Sequence, residues 1–379
     1  MTQTPLAFDT PGFDHTSPLD RIGFDIGFDH ARHALVPPAE LMLDGTAVCQ
    51  GWRAGRALFG LRTPAGPRGL RQWLALRLQA WREGVEFEMQ QVTPHHLLQI
   101  ETPVCPVTRV LLGGALQGDA APVVTRLRED AGYAAGNLVL LSRAAARAKA
   151  GRTAAQVMAH TERLARDGVA EDGLQDGMDL AAWRRLATLM SLAVQAPAAV
   201  SARIPLFVLP PNRVRVLNAS QGLQALFTLR LQAAGWSHRA RAIADLLPRS
   251  ELRHDFNLFV GALAARLMAI PCDATPRMLR WAQEDAWTDG RVQRRWSQFA
   301  VQLGIDEAEA LLQRLAHAGL GGLRMLVHEP AAATDGWCLP TQGRLPRVSR
   351  QAPGCRVSPV ATANTPPQNR SATMSPRAS

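Results

Sequence analysis

The sequence predicts an α+β fold, with an N-terminal α+β part followed by a mainly α-helical domain. Three observations carry this. Over residues 179–326 large apolar side chains recur at three- and four-residue steps, the period of helices with one buried face. Before residue 168 such helical stretches alternate with shorter segments, of which 85–91 reads as a strand. Hydrophobic residues make up 47% of the chain and charged ones 20%, enough to bury a core and too apolar for a wholly disordered protein. At 379 residues the chain is expected to divide into an N-terminal part (1–168), a helical domain (179–340) and a disordered basic tail (341–379).

The elements follow in order. A short phrase recurs near the start: Gly12-Phe13-Asp14-His15, Gly23-Phe24-Asp25, and Gly27-Phe28-Asp29-His30. It reads as a loop anchored by its phenylalanines, although Asp and His so close together, with His33 beyond, also suit a metal. Residues 51–82 hold seven arginines and no acid, interleaved with Trp52, Trp73 and Trp81. Leu70, Trp73, Leu74, Leu78 and Trp81 fall at helical spacing, which makes the tryptophans core residues and leaves arginines such as Arg71 for solvent or phosphate. His95-His96 after Pro94 reads as a turn. Thr153 and Gln156 form a capping box and Gly168 a stop. A Gly/Asp/Glu-rich linker over 167–177 precedes helices near 179–194, 221–233, 250–270, 276–287 and 306–317, with Asp179 and Ser250 as N-caps and Gly235 and Gly319 as stops. Residues 204–217 read as extended, a small hairpin on the helical body. Trp281, Trp287 and Trp296 are expected in the helical core.

Charge and composition exclude several classes of function. The net charge of +10 overstates the basicity of the body, because residues 341–379 carry six arginines and no acid, leaving the first 340 residues at +4. No apolar run approaches the ~18 residues needed to span a bilayer, so no membrane partner is expected. Residues 1–15 lack the basic and apolar regions of a secretory leader, which makes a cytoplasmic protein the expectation. Five scattered cysteines form no C-x-x-C pair, against a disulfide framework or a thiolate zinc cage. Walker, G-x-S-x-G and G-x-G-x-x-G motifs are missing.

One stretch carries a family resemblance. Cys105-Pro106-Val107-Thr108-Arg109 is followed, after a Gly-rich spacer, by VVTRLREDAGYAAGNLVLLSRAAARAKAG over residues 123–151. This resembles the HNH endonuclease module of the His-Me finger, treble-clef class. Gly132, Tyr133, Gly136 and Asn137 match its turn, residues 138–141 its second strand, and Lys149 the end of its helix, while Cys105 marks its start. The chain's single lysine and single tyrosine both fall on pattern positions. The resemblance implies a ββα element and, in active relatives, a general base and a divalent metal on the scissile phosphate.

The chemistry that the family needs is missing here. Thr125-Arg126 stands at the base position, and arginine stays protonated near neutral pH. Ala146 stands where the helix should supply Asn or His. Glu129 and Asp130 lie in the turn, away from the strand and helix that would face the phosphate. The expectation is a degenerate module with no catalytic residue, no metal site and no cofactor, which binds nucleic acid through Arg126, Arg128, Arg143, Arg147, Lys149 and Arg71. Two alternatives stand beside it. One is a protein-interaction or regulatory role for the helical domain, with the module as a remnant. The other is a metal-dependent nuclease with a substituted base, the only reading that needs a divalent cofactor.

Overall fold

The computed structural model describes residues 17–60, 66–113, 118–168, 173–232, 234–321 and 326–327. The tail from 341, His15, and Cys338 and Cys355 lie outside them. The fold is α+β and dominated by helices.

The Gly-Phe-Asp repeat, expected as a loop, is helical over its second and third copies; the first lies outside the described residues. Helix α1 (Pro18–Arg32) starts at Ser17, whose hydroxyl accepts the Asp20 N–H at 3.1 Å. Helix α2 (Ala47–Phe59) starts at Thr46 in the same way. The glycines let the two axes close. A Cβ on Gly27 would stand 2.0 Å from the Val48 carbonyl oxygen, and one on Gly51 1.9 Å from that of Phe24. Helix propensity loses to contact here: each glycine costs up to about 1 kcal/mol in a helix, but a larger residue would hold the pair apart. Asp29 and His30 are part of this packing. Asp29 pairs with the buried Arg77 at 2.6 Å, and the His30 ring bonds the Ile26 carbonyl at 2.8 Å.

Helix α3 (Arg68–Glu83) ends at left-handed Gly84. Residues 85–91 are not a strand: Phe87 makes one isolated parallel bridge to Tyr133, and a turn follows. His95 and His96 lie in a short helix, α4 (Pro94–Ile100), capped by Thr93, rather than in a turn. Strands β1 (Pro122–Arg126) and β2 (Leu138–Ser142) pair antiparallel, Pro122 opposite Ser142 and Arg126 opposite Leu138. β2 runs straight into α5 (Arg143–Lys149), because Ser142 closes the strand and caps the helix. The capping box at Thr153 and Gln156 is formed and starts α6 (Ala154–Arg166).

The helical body comprises α7 (Leu180–Leu192), the single turn α8 (Ala198–Ser201), α9 (Ala219–Gln232), α10 (Trp236–Asp245), α11 (Ser250–Leu267), α12 (Pro276–Asp285), α13 (Gly290–Leu303) and α14 (Ile305–His317). Asp179 caps α7 as expected. Ser250 does not cap α11; the boundary residue is Arg249, with no side-chain cap. Gly235 starts α10 in a left-handed conformation instead of ending the preceding helix. The expected hairpin at 204–217 is a bent segment ending in β3 (Arg215–Val216), which pairs in parallel with β4 (Leu326–Val327).

The core ignores the linker. Cys105, Val107, Leu127, Val139 and Leu141 of the N-terminal part share one hydrophobic cluster with Trp183, Leu186 and Leu189 of α7 and with the aromatic group Phe227, Phe256, Trp287 and Trp296. Arg109 reinforces the joint, reaching buried Glu284 at 3.1 Å and Asp285 at 2.7 Å. The expected boundary near 168–179 is therefore a break in the sequence pattern but not in the packing. No helix of the described residues is long and apolar enough to cross a membrane.

Candidate functional site

The ββα element is built around an internal ion network. Arg126, at the end of β1, is 8% exposed. It donates to the carbonyls of Glu129 (2.8 Å) and Ala131 (2.9 Å), pairs with the Glu129 carboxylate at 2.8 Å, and lies over the Tyr133 ring. Lys149 is fully buried at the end of α5 and pairs with the same Glu129. Burial pushes the Lys149 ammonium down, and the Glu129 charge opposes that shift. The Tyr133 hydroxyl donates to Glu83 of α3 at 2.7 Å, and burial together with that carboxylate raises it far above its usual range. Arg126 and Lys149 are thus interior side chains. Both are removed from the expected nucleic-acid contacts, because a phosphate cannot reach them without breaking this network.

The motif's other positions hold the turn together. Asn137 is fully buried; its side-chain oxygen accepts the Arg128 N–H at 2.9 Å, and its amide donates to the carbonyls of Gly132 (2.9 Å) and Arg128 (3.2 Å). Cys105 is buried, and its sulfur accepts the backbone N–H groups of Ser142 at 3.3 Å and Thr108 at 3.5 Å. The Thr108 and Ser142 hydroxyls meet at 3.0 Å, closing this knuckle with one thiol and two hydroxyls.

The remaining expected contacts lie nearer the surface. Arg128 is held by Asp130, which lowers the Asp130 carboxyl. Arg143 is half-buried at the first turn of α5, and Arg147 is exposed one turn later, paired with exposed Asp119. Arg71 is exposed on α3 and donates to the Gly66 carbonyl at 3.1 Å. Four arginines of the acid-free run at 51–82 are paired with acids from elsewhere in the chain: Arg53 with Asp44, Arg68 with Glu101, Arg77 with Asp29 and Arg82 with Glu40. Trp52, Trp73 and Trp81 each donate their indole N–H to a carbonyl, of Leu35, Val92 and Leu19. They are braces between segments.

At the positions where the resemblance would put a base and a metal ligand, this chain has the buried Arg126 and half-buried Ala146. Glu129 and Asp130 are engaged in ion pairs. Among the described residues no group of three or more His, Cys, Asp or Glu side chains converges as metal ligands would.

Sequence reasoning missed a cavity of about 420 Å³ beside the Gly136 turn, lined by His95 and His96 of α4, Gln91, Gln99, Arg213 and Arg215. Its histidines and its arginines lie some 120 positions apart in the chain, and only the pair His95-His96 is visible as a local signal. No family model, no curated protein and no solved structure matches this chain.

Proposed function

We propose that this is a nucleic-acid-binding protein that contacts the phosphate backbone with the outer side of its ββα element and does not cleave it. The supporting observation is local: a strand ending in Arg126, the Gly-Tyr-x-x-Gly-Asn turn, a second strand and a helix follow one another in the order the HNH resemblance implies. The helix carries half-buried Arg143 and exposed Arg147, while the element's interior holds Arg126 and Lys149 against Glu129. An exposed pair such as Arg147–Asp119 contributes little to stability, so exchanging Asp119 for a phosphate costs little. Such contacts give sequence-independent, salt-sensitive affinity. The absence of cleavage rests on the residues themselves: a permanent cation at the base position and alanine on the helix offer no group to deprotonate water.

The test is binding of the intact chain to a random duplex over a salt series, with magnesium or manganese added to the same samples. Affinity that falls steeply with salt, with the duplex left intact, supports the reading. Metal-dependent cleavage overturns the non-catalytic part, and no binding at low salt overturns the whole.

A second reading is favoured by a different observation. An apolar groove of about 440 Å³ runs between α6, α7 and α8, lined by Met158, Ala187, Val200, Ile204 and Phe207. It suits a role for the helical body in protein interaction, with the ββα element as scaffold.

A further inference from the structure

The geometry points to a binding site for a phosphate group, as a monoester or as free phosphate, in the cavity between α4, the Gly136 turn and the segment entering β3. Two guanidiniums, Arg213 and Arg215, and two imidazoles, His95 and His96, line it with carboxamides from Gln91 and Gln99. Among the described residues no Asp or Glu lines it.

His96 supplies an independent sign. It is 7% exposed, and its Nε2 is buried without a hydrogen-bond partner. Most buried polar atoms in folded proteins are satisfied, so an imidazole nitrogen left open at a cation-lined cavity suits a ligand oxygen. Burial first, then Arg213, Arg215 and His95, bring its pKa down to about 4. The ring therefore faces the cavity neutral at pH 7, and the guanidiniums supply the positive charge.

The backbone is arranged to hold these groups. Arg213 sits in the left-handed region at φ 66°, a conformation that non-glycine residues adopt at a cost. The Arg215 side chain crosses Gly136, where a Cβ would stand 2.2 Å from its Cγ, so the motif's glycine is what gives this arginine its path. Its guanidinium is positioned by Gln91 at 3.1 Å, and its backbone N–H by the Gly136 carbonyl at 3.1 Å. Planar guanidinium forks match phosphate oxygens in pairs. The volume lies in the range of small-ligand pockets and exceeds one phosphate, leaving room for an organic group attached to it.

Calorimetric titration of the full chain at pH 7 and low ionic strength tests the site, using inorganic phosphate, a nucleoside monophosphate and the parent nucleoside. Both phosphates are expected to saturate a single site and the nucleoside to give no heat. Tighter binding of the monophosphate assigns the natural source to a monoester, and equal affinities assign it to the free ion. Arg213→Asn is expected to weaken binding about tenfold, the loss of one charge-assisted contact, without moving the melting temperature, because Arg213 is exposed and asparagine accepts a left-handed backbone. Arg215→Gln is expected to weaken it at least as much; should that variant fail to fold, Arg213→Asn decides alone. No saturable heat with either phosphate at millimolar concentration, or unchanged affinity in Arg213→Asn, overturns the site.

Discussion

Lys149 illustrates at the scale of one residue how burial decides what a charge does. The chain's only lysine stands on the motif, where a phosphate contact was expected, yet it lies inside the fold against Glu129. Glu129 keeps its Arg126 partner and part of its solvent contact, so Lys149→Met strands no charge and is expected to lower stability by only about 1 kcal/mol in urea unfolding. Duplex affinity of the folded variant should stay the same; a selective loss of affinity would return Lys149 to the binding surface. Asn137→Ala removes three hydrogen bonds of a fully buried side chain at once and should cost about 2–4 kcal/mol by the same assay. His96 brings a pH dependence. Its pKa falls from 6.5 to about 4 on folding, so its stabilising contribution is complete above pH 6.5 and is lost as pH drops toward 4. In phosphate-free buffer the loss should reach at most about 3 kcal/mol, and His96→Gln should flatten that part of the stability profile.

Among the elements, the α1–α2 pair and α11 give opposite expectations for the same substitution. Gly27→Ala places a Cβ within 2.0 Å of the Val48 carbonyl oxygen, so the helices must separate, at a cost of about 1–3 kcal/mol. Gly261 lies exposed in α11 with nothing within 4 Å of its would-be Cβ, and Gly261→Ala should stabilise by about 1 kcal/mol. Thermal unfolding of the two variants checks both signs; a stabilised Gly27→Ala would refute the close packing. The contrast explains what was legible in the sequence. Signals that act within one turn could be read: the Thr153–Gln156 capping box, the Asp179 cap, and the three- and four-residue steps of the helical body. α1 could not, because its glycines read as loop residues until α2 is beside them. The Ser250 cap failed by one residue, since the cap position there carries no side-chain bond for a pattern to reveal.

Over the whole molecule, tertiary pairing overrides local charge. The run at 51–82 looks strongly basic in sequence, but the fold brings it acids from residues 29, 40, 44 and 101. The motif residues of the candidate site were legible because they lie within one short stretch. The cavity was not, because His96, Gly136 and Arg215 converge only when the N-terminal part and the helical body share a core. Under the proposed function this pairing narrows the surface that would meet a phosphate backbone, and the salt dependence of duplex binding reads it directly. The decisive comparison is the slope of log affinity against log salt for the intact chain and for its Arg143→Ala/Arg147→Ala variant, both of which keep the basic tail. Each phosphate contact contributes about 0.9 to that slope on duplex DNA, so the variant's slope should be shallower by about 2. Equal slopes would place any duplex binding elsewhere, in the tail or the other arginines, and would contradict a binding surface on the ββα element.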